Sequence, residues 1–165
     1  MTSETIKQNH GQTNLAQEGK YLTFALGNEE YGLEILKVRE IIGLMDITAV
    51  PQVPNYIKGV INLRGKVIPV TDLRLKFGMN AIDYTKETCV IVLNVGDILI
   101  GIIVDRVCEV LDVMQKDIEP PPSFGTKVHT DFIIGIGKVG ERVKILLDIN
   151  KVLTEDVLFQ IGTDK

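Results

Sequence analysis

Apolar residues in this chain come in short runs, several alternating with polar ones, cut at intervals by glycine-centred pairs. That is a pattern of strands rather than helices. Residues 21–26 and 31–35 flank Gly27-Asn28 and form a hairpin, because glycine supplies the positive φ of a primed two-residue turn. Residues 88–95 and 98–104 flank Gly96-Asp97 in the same way. A second hairpin runs over 57–63, turns at Arg64-Gly65 and returns through 66–71; its counterpart turns near Val139-Gly140. Between the hairpins, 38–42 and 107–111 each add a fifth strand.

The pattern is written twice. Gly27-Asn28, Gly32 and Val38-Arg39-Glu40-Ile41-Ile42 return 69 residues on as Gly96-Asp97, Gly101 and Val107-Cys108-Glu109-Val110-Leu111. The offset then grows to 76, so that Tyr56-Ile57-Lys58-Gly59-Val60 meets Phe132-Ile133-Ile134-Gly135-Ile136, and Asp72-Leu73 meets Asp148-Ile149. The extra residues fall in a loop that holds Pro120-Pro121-Pro122. Five short strands repeated once predict a mainly β fold of two small closed barrels, since closure removes the edges that recruit other chains. Each barrel is too small to enclose a ligand. The expected organisation is a flexible tail over 1–19, then one domain over 20–165. That domain comprises two barrel subdomains, about 20–78 and about 88–153, and a C-terminal segment to 165. Asp72 and Asp148 stand where a carboxylate accepts backbone N–H bonds and starts a short helical turn.

Composition narrows the function. A chain of 165 residues with 45% hydrophobic content buries enough surface to stand without disulfide staples. Cys89 and Cys108 lie in apolar strand-like runs without CxxC spacing, so they read as small hydrophobes, and neither a metal nor another cofactor is expected. A net charge of −4 with no basic run disfavours nucleic acid. No apolar run reaches the roughly 20 residues of a membrane span, and the polar N-terminus lacks a secretory core, so the expectation is a cytoplasmic protein without membrane insertion.

Catalytic chemistry finds little to work with. Gly135-Ile136-Gly137-Lys138-Val139-Gly140 spells GxGxxG, but a dinucleotide site needs a helix after the glycines and a strand follows here. Ser3 and Ser123 are the only serines, and His10 and His129 have no evident partner. No enzyme is expected. Two rivals stay open: a tandem-barrel nucleic-acid module, weakened by few aromatics, and an enzyme built on Asp105 and His129.

One segment exceeds what folding requires. Gly59-Val60-Ile61-Asn62-Leu63-Arg64-Gly65, followed by Pro69-Val70-Thr71-Asp72-Leu73-Arg74, keeps its glycine, valine and aspartate in the second copy, which loses Asn62, Leu63, Arg64 and Pro69. Either Asn62 and Arg64 merely shape a turn, or one copy of a symmetric scaffold carries an added task.

This segment, with residues 31–41, closely resembles the bacterial chemotaxis coupling proteins of the CheW family, over roughly 20–153. The resemblance implies two pseudo-symmetric five-stranded SH3-like barrels. It also implies a non-catalytic adaptor of two-component signalling, joining the histidine kinase CheA, through its regulatory domain, to the cytoplasmic tip of methyl-accepting chemoreceptors. Such a protein works in the cytoplasm, recruited to membrane-associated receptor arrays. Carried onto this sequence, the receptor groove involves Val38, Gly59, Asn62, Leu63 and Arg64, with Val107 and Val110 from the second copy. Such a groove takes the apolar stripe of a receptor helix. Glu40 and Arg64 are expected to pair; if partly buried, losing one partner would cost about 3 kcal/mol. The kinase is expected on a separate face of the first barrel.

Overall fold

The structure is a computed structural model that describes residues 17–121 and 131–154. Most of the tail, the residues beyond 154, and Ser3, His10, Ser123 and His129 lie outside the described residues. Among the described residues there are eleven strands: β1 (Gly19–Leu26), β2 (Glu29–Glu34), β3 (Val38–Gly43), β4 (Ile57–Leu63), β5 (Lys66–Asp72), β6 (Cys89–Val95), β7 (Ile98–Val104), β8 (Arg106–Val113), β9 (Ile118–Glu119), β10 (Ile133–Val139) and β11 (Arg142–Leu147). Helical turns α1 (Leu73–Lys76) and α2 (Ile149–Val152) follow β5 and β11. The predicted hairpins and both fifth strands are present. Asp72 caps α1 by accepting from the Leu75 N–H at 3.3 Å, and Asp148 caps α2 by accepting from Asn150 and Lys151 at 3.0 and 3.3 Å. None of the described helices is long and apolar enough to cross a membrane.

The strands form two sheets, ordered β8-β1-β2-β11-β10-β9 and β3-β6-β7-β5-β4. Each sheet therefore mixes the two sequence copies. The first hairpin of copy one, β1–β2, is held between β8 and β11 of copy two, and the first hairpin of copy two, β6–β7, between β3 and β5 of copy one. The halves divided at about 78 and 88 are thus not the spatial lobes. Connection length explains the exchange. In one sheet with its own hairpin, β3 would lie beyond β1 and run parallel to β2, a crossover that needs about a dozen residues. Only Ile35–Lys37 lies between β2 and β3, and only Asp105 between β7 and β8. A link this short rules out that crossover, and the chain runs on into the other sheet instead.

The exchange obeys the repeat closely. Phe24↔Val107 and Thr23↔Glu109 flank a register shift between β1 and β8; their equivalents Val38↔Leu93 and Glu40↔Val92 flank the same shift between β3 and β6. The parallel seams match as well, Gly32 facing Leu146 and Gly101 facing Val70. A Cβ on Gly101 would lie 2.7 Å from Val90 and 2.8 Å from Val70, so the preserved glycine is a matter of space at the seam.

Closure is looser than the expected barrel. No continuous ladder joins β3 to β4; the chain leaving β3 reaches β4 through Thr48, which exchanges two 2.9 Å bonds with Val60. In the other lobe β9 does the same for β10. Each lobe is a curled sheet stitched to itself, with a small apolar filling: Ile61, Leu63, Ile68 and Val92 in one, Tyr21, Val113, Ile134 and Leu146 in the other. The largest core lies where the two hairpins and both helical turns converge, with Phe24, Leu33, Leu73, Leu93, Ile102, Ile149 and Leu153 fully or almost fully buried. At about 2 kcal/mol per buried side chain, this shared core binds the lobes into one body.

Candidate partner-binding site

The signature hairpin is built on an unusual turn. Arg64 and Gly65 both take positive φ, 52° and 87°, as a two-residue primed turn requires, and the Asn62 side-chain oxygen accepts from the Gly65 N–H at 2.8 Å. Asn62 therefore shapes the turn, while the Arg64 side chain reaches outward and pairs with Glu40 on β3. That ion pair joins opposite edges of the five-stranded sheet. The expected pair is present; with Arg64 67% exposed and Glu40 29%, it lies at the surface and contributes at most about 1 kcal/mol, not the roughly 3 that burial would imply.

The other candidate residues divide by burial. Gly59 is buried with φ 141°, and a Cβ there would fall on the Thr48 carbonyl oxygen, so its bareness permits the Thr48–Val60 stitch. Leu63 fills the core of its own lobe. Val38 and Val107, repeat equivalents, are half-buried against the shared core at the two matching register shifts. Val110 is exposed on β8. The structure thus brings Asn62, Arg64 and Glu40 together at the hairpin tip; Val38 and Val107 each pack against the shared core, Gly59 lies against Thr48, and Leu63 is buried within its lobe.

Besides Val110, several exposed apolar residues escaped the sequence reading. Ile41 is the repeat equivalent of Val110, and Val67 of Val143; all four are exposed. Leu36, in the short link before Val38, is 88% exposed. Comparing the copies for apolar residues kept on outward strand positions would have found the two pairs. The same comparison exposes a buried ion cluster: Glu30 on β2, 7% exposed, pairs with Lys144 on β11, 3% exposed, and with Arg142. Their equivalents in the other lobe are the apolar Leu99 and Ile68. The hydrogen bond from Lys144 holds the Glu30 carboxyl below its ordinary range, against the opposing effect of burial.

Reactive chemistry does not assemble among the described residues. Asp105 accepts from the Gly27 N–H at 2.7 Å and pairs with Arg74 at 3.0 Å, tying a turn of one copy to a strand junction of the other. Burial pushes both the Cys89 and Cys108 thiols up, away from the nucleophilic thiolate. The GxGxxG stretch lies in β10 and its turn, with β11 following. No cluster of three histidine, cysteine or acidic side chains suited to a metal occurs among the described residues. A cleft of about 520 Å³ opens between Tyr56, Lys76, Phe77, Asp131, Phe132 and Lys151, with Phe77 stacked on Phe132 at 5.4 Å and Asp131 as its one carboxylate.

Residues 20–157 match the model of the CheW-like domain. The chain belongs to the CheW-like domain family. The chemotaxis protein CheW of Klebsiella aerogenes is 45% identical over 152 residues, 92% of this chain and 90% of that protein. That of Helicobacter pylori is 37% identical over 137 residues, covering 83% and 82%. The solved scaffolding protein TtCheW of Thermoanaerobacter tengcongensis superposes with a TM-score of 0.76 at 36% identity, covering 83% of this chain and 93% of that one. The mainly β, two-sheet CheW fold is therefore shared, and with it the chain's place among chemotaxis scaffolds.

Proposed function

We propose that this chain is the non-catalytic coupling adaptor of a chemotaxis system, holding the cytoplasmic tip of methyl-accepting chemoreceptors and the regulatory domain of the histidine kinase CheA at once. The observation that carries this reading is the match to a chemotaxis protein CheW over 92% of this chain and 90% of that protein. The receptor side is assigned to Val38, Asn62, Arg64, Val107 and Val110, the half-buried Val38 and Val107 and the exposed Val110 supplying apolar contact and the hairpin tip a charged one. Leu36 and Ile41 join that assignment as exposed apolar neighbours in sequence. Gly59 and Leu63 support it from below. The protein acts in the cytoplasm, drawn to receptor arrays by its partners.

Pull-down with purified kinase regulatory domain and a receptor-tip fragment, separately and together, tests the reading. Both binary contacts and a ternary complex are expected; a chain that binds neither sinks it. In a reconstituted assay, Arg64→Ala is expected to weaken receptor-coupled kinase activation while shifting the urea midpoint by no more than a surface ion pair allows.

A further inference from the structure

The β1–β2 hairpin finds all of its inter-hairpin sheet pairing on strands that lie beyond residue 105. Its covalent link onward is Ile35–Lys37, a turn with no buried residue whose Leu36 is 88% exposed. The seat it occupies is defined by the β8 ladder, the short parallel seam with β11, the Glu30–Lys144 ion pair and the Asp105 bond to the Gly27 N–H. None of these bonds depends on hairpin and seat belonging to one molecule. Only the link residues would change direction if they did not.

We propose that the hairpin of one copy can fill the seat of a second copy of this chain, giving a reciprocal, hairpin-exchanged homodimer. Reciprocity fills both seats and closes the assembly at two chains, so no open filament results. The monomer is favoured by the short tether, which holds hairpin and seat at an effective concentration on the order of millimolar. Exchange gains when protein concentration approaches that value during folding, or when the link is too short to fold back. The ion pair identifies the seat. The β6–β7 hairpin carries Leu99 where this one carries Glu30, and docking it here would leave Lys144 buried without its carboxylate.

Charge reversal provides the test. Glu30→Lys and Lys144→Glu, each alone in the full chain, place like charges in the buried seat and lose the folded state or most of its stability. Refolded together at equal amounts, they form an exchanged heterodimer in which one seat pairs the two introduced charges and the other regains the original pair. Light scattering then reads twice the monomer mass, and mass spectrometry both chains at one to one. A separate chain with Leu36 deleted is expected to refold as a homodimer. A mixture without the heterodimer, or a Leu36-deleted chain that folds as a monomer, overturns the proposal.

Discussion

Arg64 occupies a left-handed backbone position, φ 52°, where glycine would be relaxed and a long side chain is strained by roughly 1 kcal/mol. Its ion pair with Glu40 recovers at most a similar amount. Arg64→Gly is therefore expected to leave the melting temperature within a few degrees of the parent while removing receptor coupling; a large loss of stability would mark Arg64 as a structural residue. Gly59 is the opposite case. Its φ of 141° and its position under the Thr48 carbonyl leave no room for a methyl group, so Gly59→Ala is expected to destabilise by roughly 3 kcal/mol or more in urea titration. A bulky residue there would report on the fold and not on a partner. The sequence placed both residues on the signature hairpin, but burial is what separates them, and burial follows from the Thr48 stitch that periodicity does not encode.

At the scale of elements, the seam between β2 and β11 holds a charge cluster where the seam between β5 and β7 continues into apolar packing. Removing one member by Glu30→Ala leaves Lys144 buried and unpaired, an expected loss of about 3 to 5 kcal/mol, whereas Glu30→Leu with Lys144→Ile imitates the other lobe and should recover most of it. A double-mutant cycle by urea unfolding checks this. The pair also predicts an acid limb. Glu30 faces Lys144 and Arg142, with Arg106 and Cys108 nearby, and its folded proton affinity is lowered chiefly by the Lys144 hydrogen bond. The stabilisation is complete above the ordinary carboxylate value of 4.5 and fades as pH falls through the lower folded value, so Glu30→Gln should flatten stability against pH in that range. Hairpins, turns and both aspartate caps were legible because each is decided by residues close in sequence. The ion cluster was not, since Glu30 and Lys144 are brought together only by the pairing of β2 with β11.

For the whole molecule, the crosswise pairing makes each copy contribute strands to both lobes. The connection between β5–α1 and β6 is largely exposed over 80–87, and cutting it there should leave the two pieces associated. Separated in denaturant, neither piece alone should show a cooperative unfolding transition by circular dichroism, and mixing should restore it; a piece that folds alone would contradict the shared core. Duplication was visible in the offsets of 69 and 76, yet contiguous barrels were the natural expectation from it, because sequence order says which strands exist and not which ones meet. The connections themselves held the missing clue: three residues after β2 and one after β7 cannot carry a parallel crossover.

Those same connections constrain descent. An ancestral gene encoding one unit, with so brief a passage after its opening hairpin and the pairing seen here, would have satisfied its strands by borrowing from a sibling molecule. Tandem fusion would then have turned an obligate pair into a single polypeptide, freeing each half to diverge. The arginine-bearing tip in one lobe and the salt cluster in the other, where both copies meet, are differences such divergence would leave.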